Sequence, residues 1–301
     1  MKCPYCRMSL SCSVKRGFFR RKSTNTARIQ RYFCKIKKKG YSQRTLTPTY
    51  REKKAYLNQA LFGLLCSGVS QRRCALILSI HQKTVARKLV RLNSQALATQ
   101  QSLTKNLAPV TQVVFDEMET FEHTKCKPLS ICVAVEKSSR FILAAKVEQM
   151  PAKGLLAKIS RKKYGPRADH RKAGLSKVLS HVKAVSVPSL LIESDECPRY
   201  TVAVKRYLPY ALHRRYKGRR GCIVGQGELK RGGFDPLFSL NHSCAMFRDN
   251  LKRLTRKSWC TTKKPQQLQM LVNLYVCFHN LLLIDPKGRF KLKGSLEICT
   301  I

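Results

Sequence analysis

Three apolar runs of strand length, "QVVFDEME" (112–119), "LSICVAVEK" (129–137) and "RFILAAKVEQ" (140–149), follow one another with no helical stretch between them. Only Ser138 and Ser139 separate the last two, so they form an antiparallel pair closed by a tight turn. The hydrophobic period then changes. "AKGLLAKISRKKY" reads as a helix, residues 161–183 as a basic segment, "SLLIESDE" as a fourth strand and "YTVAVKRYLP" as a helix. "ALHRRYKG" is a short fifth strand, "PLFSLNHSCAMFRDNLKRLTRKSW" one long helix, and residues 265–282 a final amphipathic helix. Three strands, a helix, then strand–helix–strand–helix predicts a mixed α/β sheet. The strict strand–helix alternation of a doubly wound fold is excluded.

Charge narrows the partners. The 301 residues hold 60 Lys and Arg against 16 Asp and Glu, a formal charge of +44. That is far more than solubility requires and predicts a polyanion, most simply nucleic acid. A basic ribosome-associated scaffold would explain the charge but not the clustering of the acids described below. No apolar run approaches the ~18–20 residues of a membrane span, and the start "MKCPYC" lacks the apolar stretch of a signal peptide. The expectation is a cytoplasmic protein without membrane contact. Most of the fourteen cysteines sit singly in apolar patterns such as "LFGLLCSGV" and read as small core residues, not disulfides.

Residues 1–50 are rich in Cys, Lys and Arg and poor in aliphatics. Cys3-x-x-Cys6 is half of a zinc knuckle, and structural zinc takes four tetrahedral ligands. Cys34 offers a third sulfur, but Lys37 stands where its partner belongs, leaving only Cys12, at an unusual spacing, as a fourth. Two readings follow: a zinc site, or a decayed knuckle. From Arg51 to Leu92 the spacing is helical, with Tyr56, Ala60, Leu61, Leu64 and Leu65 on one stripe. Ser70 caps a second helix through about Leu78, "SIH" turns, and "QKTVARKLVRL" forms a third helix carrying Lys83, Arg87, Lys88 and Arg91. This is the layout of a helix-turn-helix, whose last helix enters the major groove, and equally of an ordinary basic three-helix bundle. Residues 93–110 read as a polar linker, 111–285 as the main domain and 286–301 as a tail.

Seven of the sixteen acids lie within 116–122 and 193–196. Asp116 is expected to close the first strand and Asp195 the fourth, and strands this apolar on both faces are expected to be central neighbours. Paired carboxylates suit Mg²⁺ or Mn²⁺, and an all-oxygen site is the usual choice when the substrate carries phosphates. Taken singly, a strand-end Asp is as often a cap or loop residue. Glu117, Glu119, Glu122, Glu193 and Glu196 are expected to be solvated or paired with the abundant cations.

"FDEMETFE", "ESDECPRY" and "NHSCAMFRDNLKRLTRKSWCTTKKPQQLQMLVNLYVCFHN" together resemble the transposases of bacterial insertion sequences, in the insertion-sequence-one-like group. The spacing of Arg248, Leu251, Arg253, Leu254, Arg256, Lys263, Tyr275, His279 and Asn280 follows that group's pattern. The resemblance implies a ribonuclease-H-like fold, preceded by a cysteine knuckle and a helix-turn-helix, and metal-dependent cutting and joining of DNA. It implies Asp116 and Asp195 as the first two catalytic metal ligands and Asn241 as the third, with Asp235 the charged alternative. Asn can coordinate a hard cation through its amide oxygen. His242 becomes a candidate contact to the scissile phosphate or an ordinary packing histidine. Arg248, Lys252, Arg253 and Arg256, with "HRKAG" at 170–174, are candidate phosphate contacts. The implied partners are element terminal repeats and target DNA, bound by a homo-oligomer at the bacterial nucleoid. The rival reading is a DNA-binding regulator, or decayed transposase, without catalysis.

Overall fold

The structure is a computed structural model that describes residues 2–20, 28–47, 49–217, 235–255 and 260–287. It divides into two compact units, with the boundary between Gln59 and Ala60, later in the chain than the boundary expected after residue 50.

The first unit is built on an antiparallel sheet of β1 (Ser13–Phe19), β2 (Ile29–Cys34) and β3 (Lys39–Ser42), in that order. Its buried centre is Cys3, Cys34 and Tyr41, with Cys6, Cys12, Tyr32 and Leu46 packed around it. So small an apolar centre is the situation in which metals or disulfides usually supplement a core.

The second unit begins within α1 (Asn58–Leu65), which is followed by α2 (Gln71–Ile77) and α3 (Gln82–Lys105). The Ser70 hydroxyl accepts the Arg73 N–H at 3.3 Å and caps α2, and His81 Nδ1 accepts the Lys83 N–H at 3.1 Å and caps α3. The sheet follows as β4 (Val110–Phe121), β5 (Pro128–Glu136), β6 (Ile142–Gln149), β7 (Ser186–Asp195) and β8 (Leu212–Tyr216). Helices α4 (Leu156–Tyr164) and α5 (Arg171–Val185) precede β7, α6 (Pro198–Tyr207) joins β7 to β8, and α7 (Phe238–Asn250) and α8 (Pro265–Ile284) complete the unit. The strand order is β6-β5-β4-β7-β8. The first two pairings are antiparallel, whereas β4–β7 and β7–β8 are parallel. This is the expected mixed sheet in a ribonuclease-H-like arrangement, with the two carboxylate-bearing strands side by side at its centre.

Alternation assigns the faces. Val113, Phe115, Cys132, Ala134, Leu190 and Ile192 pack with residues of α5 and α6. Val114, Asp116 and Met118 therefore turn to the other face, where α7 contacts β4 and β5.

Several elements differ from the sequence reading. The basic segment at 161–183 contains a second helix, α5, which buries Leu175, Val178, Leu179 and Val182. The expected linker is mostly helix, because α3 runs on to Lys105. Its polar residues serve partners on α8: Asn93 Oδ1 accepts Asn273 Nδ2 at 2.8 Å, and Gln100 Oε1 accepts Asn280 Nδ2 at 3.0 Å. Asn280, itself buried, also pairs with both the N–H and the carbonyl of Ile142 on edge strand β6. Contrary to the expectation, one helix among the described residues, α8, is long and apolar enough by length and composition to span a membrane. Amides interrupt its apolar run, and here it buries Leu268, Leu271, Val272, Leu274, Tyr275, Val276, Cys277, Asn280 and Leu281.

The long helix expected at 236–259 stops at Asn250. The Asn250 carbonyl accepts the Gly68 N–H at 2.7 Å, and the Leu254 N–H turns instead to Leu251. Gly68 sits at φ 74°, a conformation that glycine adopts without the usual side-chain penalty.

Gly174 on α5 marks a close approach: a Cβ there would lie 2.5 Å from Glu148 Cγ on β6. Alanine normally improves a helix by up to about 1 kcal/mol over glycine. Gly174→Ala is instead expected to lower stability by about 1 kcal/mol in urea denaturation. Adding Glu148→Ala should restore it.

Candidate functional site

Val114 on β4 pairs with Glu193 on β7 in parallel register. Two residues further along each strand come Asp116 and Asp195, placed on the same face by alternation and within electrostatic range of one another. β4 does not end at Asp116 as expected but continues beside β5 to Phe121, while its pairing with β7 stops at Val114. Asp116 therefore sits at the fork where two strands part.

Asp116 is half-buried. Its Oδ1 accepts the Glu117 N–H at 2.6 Å and the Tyr200 hydroxyl at 2.8 Å. Burial pushes the carboxyl up to about 6, against the pull of those two donors, and the neighbouring Asp195 charge adds to the rise. Burial likewise raises the Tyr200 hydroxyl, keeping it a donor. The Asp195 Oδ1 accepts the Cys197 N–H at 2.9 Å, which fixes its carboxylate at the turn into α6. Sequence reasoning left Tyr200 without a role. Its position five residues after Asp195, in the first turn of the following helix, is the signal that could have found it.

The raised pKa has a direct consequence for the metal-free protein. The native state holds the Asp116 proton more tightly than the unfolded chain does, so stability falls as pH rises from about 4 through about 6. Asp116→Asn is expected to raise stability by about 1–3 kcal/mol at pH 7.5 without divalent ions, and by nothing at pH 3.5. Urea titrations at the two pH values measure this.

Four of the other acids near the pair have a cation. Glu117 binds Arg199 at 2.8 Å, Glu119 binds Lys153 at 2.6 Å and Glu122 binds Arg167 at 3.3 Å. Glu193, fully buried on the same face as Asp195, binds Lys137 at 2.5 Å and accepts the Tyr216 hydroxyl at 2.7 Å. Glu196 is exposed. The carboxylates left without a basic partner at the fork are Asp116 and Asp195, among the described residues.

The two candidates for a third ligand form one unit at the start of α7. Asn241 Nδ2 donates to Asp235 Oδ2 at 2.8 Å, and Asp235 Oδ1 accepts the Leu237 N–H at 3.0 Å. The Asn241 amide oxygen points away from that bond by its chemistry. One turn along the same helix face, Cys244 lies within electrostatic range of Asp116, and burial pushes its thiol up to about 12. His242 Nε2 lies 3.4 Å from Arg140 Nη1, on the turn between β5 and β6.

In the first unit Cys3, Cys6, Cys12 and Cys34 converge, with all four sulfurs within 4.8 Å of one another. Cys12 thus joins the three thiols expected from spacing. It does so because it immediately precedes β1, where Ser13 pairs with Cys34. Burial raises the Cys3 thiol, but the N–H groups of Cys6 and Tyr5 together with the Cys6 and Cys34 thiols outweigh it and bring the thiol down to about 6. A thiol held near its thiolate form, among three others, fits a soft divalent metal.

Among the expected DNA contacts, Lys83, Arg87 and Arg91 are exposed along α3 at helical spacing. Lys88 is not with them: it is 3% exposed and turned into the bundle, because it falls on the stripe of Val85, Leu89 and Leu92. Arg248 is in the last turn of α7, whereas Lys252 and Arg253 lie beyond the helix. Lys252 is exposed, and Arg253 has one buried guanidinium nitrogen without a hydrogen bond among the described residues. Arg256 and residues 288–301 of the expected tail lie outside the described residues.

No protein-family model matches the chain, and no curated protein matches it. Solved structures similar to it include the Mos1 mariner paired-end complex with Mn, at 11% identity and TM-score 0.27 over 80% of each chain. The Mos1 transposase paired-end complex with left transposon end matches at 12% identity and TM-score 0.26, over 81% of this chain and 82% of that one. The catalytic domain of Mos1 mariner transposase matches at 11% identity and TM-score 0.25, over 68% of this chain and 96% of that one. Likenesses this loose carry no weight for function, and the fold rests on the strand order itself.

Proposed function

We propose that this protein is a DNA transposase that cuts and joins element ends by divalent-metal chemistry. The observation that carries the reading is that Asp116 and Asp195, on one face of adjacent central strands and within electrostatic range, have no basic partner among the described residues, whereas Glu117, Glu119, Glu122 and Glu193 each have one. Like charges forced together in a half-buried fork, in a chain of formal charge +44, fit a divalent cation. Asp116, Asp195 and the Asn241 amide oxygen would hold Mg²⁺ or Mn²⁺, with Asp235 the alternative to Asn241. When bound, such ions activate an attacking oxygen and stabilise a leaving one in phosphodiester displacement. The chain's own part is to orient: Tyr200 and the Glu117 N–H fix one Asp116 oxygen, and the Cys197 N–H fixes Asp195.

The exposed Lys83, Arg87 and Arg91 support a helix-turn-helix contact to terminal repeats, with Arg248 and Lys252 as further phosphate contacts. Joining two ends calls for a homo-oligomer on DNA. The deciding assay is 3′-end cleavage of labelled DNA carrying the repeats that flank the gene, with and without Mg²⁺. Binding with no metal-dependent nick would leave a DNA-binding protein without catalysis. In the same assay Asn241→Ala and Asp235→Ala are compared, and greater loss in the second would move the third ligand to Asp235.

The four-cysteine cluster is proposed to hold zinc. Tetrahedral Zn–S bonds of ~2.3 Å place sulfurs about 3.8 Å apart, within the observed spread. Purified protein is expected to carry one zinc per chain by elemental analysis, and Cys12→Ser to lose it. Retention of metal in that variant would exclude Cys12 as a ligand.

A further inference from the structure

The first unit has a second feature, a groove lined by Tyr5, Tyr32 and Tyr41 and, from the sheet face turned away from the cysteines, by Phe33 and Arg31. Tyr41 and Cys34 belong to the packed side. Phe33 and Arg31 alternate with them and lie on the other, where β3 sets Gly40 opposite Phe33 and Ser42 opposite Arg31. Gly40 has no side chain, so nothing on β3 covers the Phe33 ring. The Arg16 guanidinium lies 4.0 Å from the centre of that ring, Arg31 5.2 Å from the Phe19 ring and Arg51 5.3 Å from the Tyr50 ring. These six side chains line this groove of about 960 Å³.

Three features of this groove ask for an explanation that core packing does not supply. Of its rings Tyr41 is buried, but Phe33 and Phe19 are only half-buried and Tyr50 is exposed. Each of the last three carries a guanidinium. The field is of one sign: residues 1–59 hold 17 Lys and Arg and one acid, Glu52, which is buried and accepts from Asn58 at 3.1 Å. Flat rings with cations beside them match a ligand that has flat rings joined by phosphates.

We propose that this groove binds single-stranded nucleic acid, its unpaired bases stacking on Phe33, Phe19 and Tyr50 and its phosphates meeting Arg16, Arg31 and Arg51. A duplex does not fit the same chemistry, since its bases are already stacked on one another and offer the rings only a backbone. The site is separate from the carboxylate fork and stands whether or not that fork is catalytic. In a DNA-processing protein it would hold strands opened at an element end.

The test uses the full chain without divalent ions, so that nothing is cut. Fluorescence anisotropy compares a labelled oligo(dT), an abasic strand of the same length and a duplex across a salt series. Wild type should bind oligo(dT) about tenfold more tightly than the abasic strand, because stacking is lost with the bases while the phosphates remain. Phe33→Leu keeps an apolar side chain on the sheet and should bring oligo(dT) down toward the abasic level. Phe33→Tyr should retain the tighter binding, and duplex affinity and the salt slopes should not move in either variant. Equal binding of oligo(dT) and abasic DNA by wild type would overturn the proposal, as would a uniform loss across all three ligands in Phe33→Leu. Repeating the series in Asp195→Asn separates this site from the catalytic reading, because stacking should be unchanged there.

Discussion

Asp195→Asn is expected to reduce metal-dependent strand cleavage on the order of 10³-fold while leaving DNA affinity within about twofold. The substitution is nearly isosteric. An asparagine Oδ1 can still accept the Cys197 N–H that holds the native carboxylate at 2.9 Å, so the turn into α6 should survive. What disappears is one negative charge at the fork, and with it half of the charge facing a divalent cation. DNA binding draws on cations spread over the chain and should hardly change. Gel-shift and end-cleavage assays on one preparation separate the two quantities. Cleavage at wild-type rate would remove Asp195 from the site and with it the two-carboxylate reading.

The second large effect is on stability. Lys137→Met should cost about 3–5 kcal/mol, because it leaves Glu193 charged and buried with only the Tyr216 hydroxyl as partner. Glu193 is 0% exposed and Lys137 24%, so water reaches the pair from one side only. Lys137 is also tied through its backbone, its N–H to Gln112 and its carbonyl to the Ser239 hydroxyl at 2.6 Å. The pair thus joins the β5–β6 turn, the centre of the sheet and α7, directly below Asp195 on the same face. Pairing Lys137→Met with Glu193→Gln removes both charges and should recover most of the loss in urea denaturation. A loss below about 1 kcal/mol in the single variant would mean that the ion pair is not what holds these elements together.

Elements whose character is set by their own residues were legible in advance. β5 and β6 announce themselves through apolar runs and a two-serine turn, and α2 through its Ser70 cap. Asp116 and Asp195 could be selected because two acidic clusters in so basic a chain are conspicuous. What misled were residues whose role depends on a distant partner. Asn93 and Gln100 look like linker residues until Asn273 and Asn280 stand opposite them. Lys88 looks like one more phosphate contact beside Arg87 and Arg91, but the helix angle turns it inward. The helix read at 236–259 has no breaker of its own near Asn250, yet it stops there, where the Asn250 carbonyl accepts the N–H of Gly68 from far away in sequence.

The amino-acid order alone therefore determined the mixed strand order, the abundance of cations and the two acids worth singling out, since hydrophobic period and charge are local properties. Only the tertiary structure decided that Asp116 and Asp195 share one face of adjacent parallel strands, that Tyr200 reaches the first of them, and that Cys12 completes the sulfur cluster. Those relations join residues tens of positions apart, or at spacings that no local pattern marks. Strand register, helix angle and burial are what bring their side chains together, and those are set by the packing of the whole unit.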